Sequence, residues 1–177
     1  MVRKYISSRY IVLGTIDGVI AILGVVIGAF SGGVETRTII GAGIGGGVAL
    51  GISNGIGGLM AERTVEKRKM LQIEKSLFRK LDGTHVSDEV RKKLIGDTLT
   101  HGGCSFLGAL IPILPFFFLE QLVALLTSIS LSLIVLLFLG IYIGKITKEN
   151  ILLAGVKMVA IGVAVAIIIW FIRPGGH

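Results

Sequence analysis

Three polar side chains stand inside otherwise apolar runs: Asp17, Asn54 and Lys157. A carboxylate or ammonium in the middle of a membrane costs roughly 2.5–3.5 kcal/mol on insertion scales, so each needs a reason to be there. Asp17 lies seven residues into its run, Asn54 seven before the end of the next, and Lys157 six into the last. At about 1.5 Å per residue, all three sit on the order of 10 Å from the same membrane edge. Asp17 is the first candidate for a transport residue, as a ligand for a cation or a carrier of an exchanged proton. Its alternative role is a structural ion pair with Lys157. Lys157, near the end of its run, can also snorkel to the interface. Asn54 reads equally as a ligand and as a hydrogen-bonding link between helices.

A second constellation follows Asn54. Glu62, Glu66, Met70 and Glu74 recur every four residues, so on a helix they form one stripe. Carboxylates with a thioether suit a borderline divalent metal such as Fe(II) or Mn(II). The competing reading is a solvated helix face, since lysines and arginines flank every glutamate. His85, Asp88 and Glu89 are close enough in sequence to complete a cage. His101 and Cys104, three residues apart, share a helix face, but two ligands alone make a weak signal.

The elements that carry these groups follow from hydropathy. The chain has 177 residues, 53% hydrophobic and only 16% charged, against roughly 25% charged in a soluble domain. Its mean hydropathy is +0.86. Such a chain is an all-α integral membrane protein, because its apolar runs are continuous and do not alternate as barrel strands do. Five runs reach the ~20 residues a spanning helix needs: Tyr10 to Ser31, Ile39 to Ala61, Leu99 to Leu119, Leu122 to Gly144 and Ile151 to Ile172. The first lacks a signal-peptide cleavage pattern and is expected to remain as a span. Pro112 and Pro115 predict an irregular end to the third. The short turn at Glu120 and Gln121 predicts a tight hairpin of spans three and four. The chain divides into 1–61 (spans one and two), 62–98 (a short cytoplasmic helical segment) and 99–177 (spans three to five). Within 62–98, span two is expected to continue as a helix to Leu81. Asp82-Gly83-Thr84 would stop it, and Ser87 would cap a second short helix.

Charge sets the expected orientation. Fifteen lysines and arginines lie in the N-terminal segment, in 62–98 and in the loop after span four. Only Arg37 and Arg173 lie on the other side. The positive-inside rule therefore puts the N-terminus in the cytoplasm and the C-terminus outside, in a multi-pass protein of the cell (plasma) membrane. The net charge of +7 is thus a matter of topology, and no nucleic-acid partner is expected. The single cysteine excludes an internal disulfide and any CxxC site.

Glycines at intervals of four mark close approach of backbones. Span two carries Gly43, Gly47, Gly51 and Gly55; span one carries Gly14 and Gly18, then Gly24, Gly28 and Gly32. Helical angles put Asp17 on the face of Gly24 and Gly28, and Asn54 on that of Gly43 and Gly47. These stripes fit either packing within one subunit or a two-fold seam between copies.

Several of these segments, in order, resemble the vacuolar iron transporter family. Span one carries Gly14 and the Asp17-Gly18 pair, similar to the family's first span. Span two ends in small residues and Ser53, then continues as the Glu-bearing helix Ala61-Glu62 through Glu74. Span three contains Gly108-Ala109-Leu110-Ile111-Pro112-Ile113-Leu114-Pro115, similar to the family's glycine-alanine and double-proline pattern. Two positions depart from it: Asn54 stands where members commonly have Met, and Gly57-Gly58-Leu59 where they commonly have Gly-Glu-Tyr.

The resemblance implies a homodimer, joined through spans one and two, that exports cytosolic Fe(II) or related divalent metals against protons. It implies Asp17 as the intramembrane transport residue and Glu62, Glu66, Met70 and Glu74 as metal-gathering groups. The metal is substrate, and no prosthetic group is implied. The alternative is a non-transporting membrane scaffold or regulatory protein with a structural Asp17–Lys157 pair. No nucleophile–base pair or closed metal-ligand motif points to an enzyme.

Overall fold

The computed structural model describes residues 8–77 and 85–172. Five helices and one 3₁₀ turn account for almost all of them: α1 (Ser8–Ser31), α2 (Thr36–Leu77), α3 (His85–Ile113), the 3₁₀ turn (Leu114–Phe117), α4 (Gln121–Thr147) and α5 (Ile151–Phe171). No strand occurs among the described residues. All five helices are long and apolar enough to span a bilayer, so this is a multi-pass membrane protein.

The helices start and stop for local reasons. Gly33, at φ +70°, ends α1. The Gly33 and Val34 amides return to the Phe30 and Ala29 carbonyls, and only glycine takes that conformation without strain. The Gln121 amide donates to the Val34 carbonyl at 2.7 Å, tying this turn to the start of α4. α2 runs 42 residues without interruption, roughly 63 Å at 1.5 Å per residue. That is about twice a bilayer core, so the helix projects beyond it, as the sequence pattern predicts; the rest of the expected continuation to Leu81 lies outside the described residues. The expected stop at Asp82-Gly83-Thr84 lies outside the described residues. Asn150 caps α5 by accepting the Leu153 amide.

Two expectations about α3 change. The second short helix capped by Ser87 is the first turn of α3 itself, which runs on to Ile113. No turn signal separates residues 85–98 from the apolar run, so one helix crosses the boundary. Nor do spans three and four form a closely packed hairpin. Pro115 lacks an N–H and the chain tightens into the 3₁₀ turn, which redirects α4. α4 instead pairs with α5, where Gly140 and Gly144 admit Ala154, Gly155 and Ile151. α4 still meets α3 near its end: the Ser128 hydroxyl donates to the Pro112 carbonyl at 2.6 Å.

α3 lies between α1 and α2 and packs along both. The glycine stripes make this possible. A Cβ at Gly14 would lie 2.5 Å from the His101 carbonyl, one at Gly47 2.9 Å from the Ala109 Cβ, and one at Gly51 2.9 Å from the Gly102 carbonyl. The stripe 43–47–51–55 therefore packs against α3 within the subunit. Gly24 and Gly28 meet Ile169 of α5. A neighbouring stripe on α2 is uncovered. Gly41, Gly45, Ala49, Ser53, Gly57 and Ala61, four apart, are all exposed. No described atom comes within 4 Å of a Cβ placed at Gly41, Gly45 or Gly57. At the Gly33 end, Ile22, Leu23, Val26, Ile27, Ile39, Ile113 and Phe116 close the apolar core.

Candidate transport site

At the end of the bundle opposite Gly33, the contact of α1, α2 and α3 turns polar. Each helix contributes at intervals that keep one face: Tyr10, Gly14 and Asp17 from α1; Asn54, Gly58 and Glu62 from α2; Asp97, His101 and Ser105 from α3. The glycines set the spacing. Gly14 lets the α3 backbone approach, and a Cβ at Gly58 would stand 3.1 Å from Nδ1 of His101.

Asp17 is the deepest acidic group of this seam. Its Oδ2 accepts a hydrogen bond from Nδ2 of Asn54 at 3.2 Å, and Nε2 of His101 lies 3.7 Å from the same oxygen. The Asn54 amide also donates to the Ser105 hydroxyl at 2.9 Å, and that hydroxyl donates onward to the His101 carbonyl. This chain of donors orients the amide: its NH₂ faces Asp17 and Ser105, and Asn54 acts as the link between three helices. The Asp17 side chain keeps 39% of its surface accessible, whereas His101 keeps 9%. One face of the carboxylate is thus open and the other is held.

Nearer the helix end, the Tyr10 hydroxyl donates to Glu62. The Tyr10 ring lies 5.5 Å from the His101 ring, centroid to centroid, tilted by 46°. Glu62 is therefore joined to the seam that contains Asp17. Beyond it, Glu66, Met70 and Glu74 are half-buried along α2 and do not form a fully solvated face. Glu66, only 13% exposed, pairs with Lys69 at 3.1 Å and with Lys93 of α3 at 3.7 Å. Among the described residues no three His, Cys, Asp or Glu converge as a metal cage. The side chains of His85, Asp88 and Glu89 lie outside the described set.

The sequence-predicted residues thus divide. Asp17 and Asn54 meet directly. Lys157 does not join them: it is exposed on α5, and the Asp17–Lys157 pair is not formed. Equal depth along a helix does not bring side chains together when their helices present other faces. Tyr10, Asp97 and Ser105 are absent from the sequence-derived set, and His101 appears there only with Cys104. The available signal was the spacing Asp97, His101, Ser105, which places three polar residues on one face of α3. Cys104 lies off that face, half-buried beside Gly14.

Residues 59–173 match the profile of the VIT family. The chain is also similar to an uncharacterized protein of Methanocaldococcus jannaschii, with 43% identity over 171 residues, covering 94% of this chain and 88% of that protein.

Proposed function

The chain belongs to the VIT family, whose members transport metal ions, and from that premise we propose that it is a homodimeric exporter of Fe(II) or Mn(II) driven by proton exchange. The observation that carries the reading is Asp17. It is an intramembrane carboxylate with one face held by Asn54 and His101 and the other open. A carboxylate inside a span is costly and is by default a functional candidate. In this reading the half-buried carboxylates Glu62, Glu66 and Glu74, with Met70, gather metal at the cytoplasmic end. The partner subunit or the 85–89 segment supplies their missing ligands. Asp17 takes the ion next and carries a proton on the return. Tyr10, donating to Glu62, stands between the two stations.

The homodimer is supported by the uncovered α2 stripe from Gly41 to Ala61. Small residues four apart give a surface on which another helix packs closely in lipid. A second copy meeting it about a two-fold axis would set the two transport seams side by side. Orientation, with the N-terminus cytoplasmic and the C-terminus external in the plasma membrane, is supported by the fifteen-to-two distribution of basic residues.

Two measurements test this. Proteoliposomes containing the protein should accumulate Fe(II) or Mn(II), faster when the lumen is acidic, so that protons leave as metal enters. No flux above empty liposomes for Fe(II), Mn(II), Co(II) or Zn(II) would sink the reading. Orientation is read in cells carrying a Cys104→Ser background. A cysteine at Gln121 should react with an impermeant maleimide from outside, and one at Thr84 should not. The opposite pattern would invert the topology and the direction of transport with it.

A further inference from the structure

The His101 imidazole is nine-tenths buried, yet neither ring nitrogen has a hydrogen-bond partner among the described residues. Buried polar groups are normally satisfied, so an orphaned ring in a transport seam needs a ligand. No neighbouring described residue, the buried Asp97 one turn away on α3 included, hydrogen-bonds either nitrogen. Tyr10 presents a ring face and gives its hydroxyl to Glu62. Ser105 bonds the His101 backbone carbonyl and not its ring. Gly58 leaves space at Nδ1. Nε2 is aimed at Asp17, but 3.7 Å is too long for a hydrogen bond. It is close to the separation of two ligands on one cation. Bonds of about 2.1–2.2 Å at the angles of four- to six-coordinate sites put ligand atoms about 3.0–3.5 Å apart, so the two groups need to close by only about 0.2–0.7 Å.

We propose that His101 is a direct ligand, with Asp17, of the transported divalent cation at the intramembrane station. This deepens the transport reading above and rests on it. The Asp17 carboxylate and His101 Nε2 would each bind the ion through a lone pair. Asn54 is a positioning residue: its NH₂, fixed by Ser105, holds Asp17 without occupying the open face of the carboxylate. Two protein ligands leave several positions to water, which suits an ion that must leave again. An imidazole nitrogen beside a carboxylate favours first-row transition metals over Mg(II) and Ca(II), which prefer all-oxygen sites. The nitrogen would thus set the selectivity that the carboxylate alone lacks.

The test uses the whole protein, purified without a histidine tag and loaded with Mn(II), in pulsed electron paramagnetic resonance. The chain has three histidines, at 85, 101 and 177. Wild type, His85→Gln and His177→Gln should each show modulation from an imidazole nitrogen on Mn(II). His101→Gln should lose it, and half-saturation should need at least about tenfold more Mn(II). Modulation that persists in folded His101→Gln overturns the proposal. If His101→Gln does not fold, Asp17→Asn is read instead: it should lose the same modulation, and full retention overturns the shared site. Flux in proteoliposomes separates this from the function itself. Wild type that transports Mn(II) without nitrogen modulation overturns His101 alone. Wild type with the modulation but no flux supports the site and removes the transport reading. Wild type with neither overturns both.

Discussion

Asp17→Asn should reduce metal flux to the level of empty liposomes while the protein still folds and elutes as the wild type does. Asparagine keeps the shape of the side chain and still offers Oδ1 to the Asn54 amide, the hydrogen bond now made at 3.2 Å. The change in stability should stay within about 1 kcal/mol, the net worth of one such bond. What disappears is the negative charge that a divalent ion and an exchanged proton both require. A purely structural role predicts otherwise. If Asp17 served to neutralise Lys157, its loss would strand a charge at a cost of about 3–5 kcal/mol, and adding Lys157→Met would restore the protein. Lys157 is exposed on α5 and away from Asp17, so the double variant should match the single one in both stability and lack of flux. Thermal unfolding and Mn(II) flux on the two variants decide it, and normal flux in the double variant would take Asp17 out of the mechanism.

The largest effect on folding should come from a single methyl group at Gly18. A Cβ there would fall inside van der Waals contact of the Ser105 carbonyl and 2.6 Å from the Ala109 amide nitrogen. Both are backbone atoms of α3, so no side chain can swing aside. Overpacking of this kind costs about 1–3 kcal/mol when side chains can yield, and here α1 and α3 must separate along the seam that holds Asp17, Asn54 and His101. Gly18→Ala is therefore expected to lower stability by more than about 3 kcal/mol and to leave little folded protein after extraction. Gly45→Leu is the contrasting change. No described atom lies within 4 Å of its Cβ position, so the subunit should fold normally while the proposed α2 seam is blocked. Light scattering on detergent-solubilised protein should find the wild type dimeric and this variant monomeric. A Gly18→Ala protein as stable as wild type would contradict the α1–α3 crossing. A dimeric Gly45→Leu would move the seam to another face.

The sequence by itself determined the class, the five spanning helices and the extension of α2 beyond the membrane. These are properties of one dimension: the length of an apolar run, the position of a proline, the placement of lysine and arginine. Gly33 and Asn150 delimit helices through bonds to residues a few positions away, so their effect is also local. Helical period places the stripe 43–47–51–55 on one face, and that face is close-packed; it also groups Asp17 with Gly24 and Gly28, yet those glycines meet Ile169 of α5 while Asp17, its side chain 39% accessible, meets α2 and α3. Tertiary structure alone decided what each face meets. Period defines a direction around a helix axis, but the neighbour in that direction depends on how five cylinders pack, which no single span encodes. Hence the 43–47–51–55 stripe meets α3, leaving the stripe from Gly41 to Ala61 uncovered. Hence also Asp17 meets Asn54 and His101, from residues 37 and 84 positions away, while Lys157 at matching depth faces elsewhere. His101 is one polar residue among several in the sequence. It meets Asp17 only because Gly14 and Gly58 let three backbones close around it, which leaves its ring nitrogens without a hydrogen bond among the described residues.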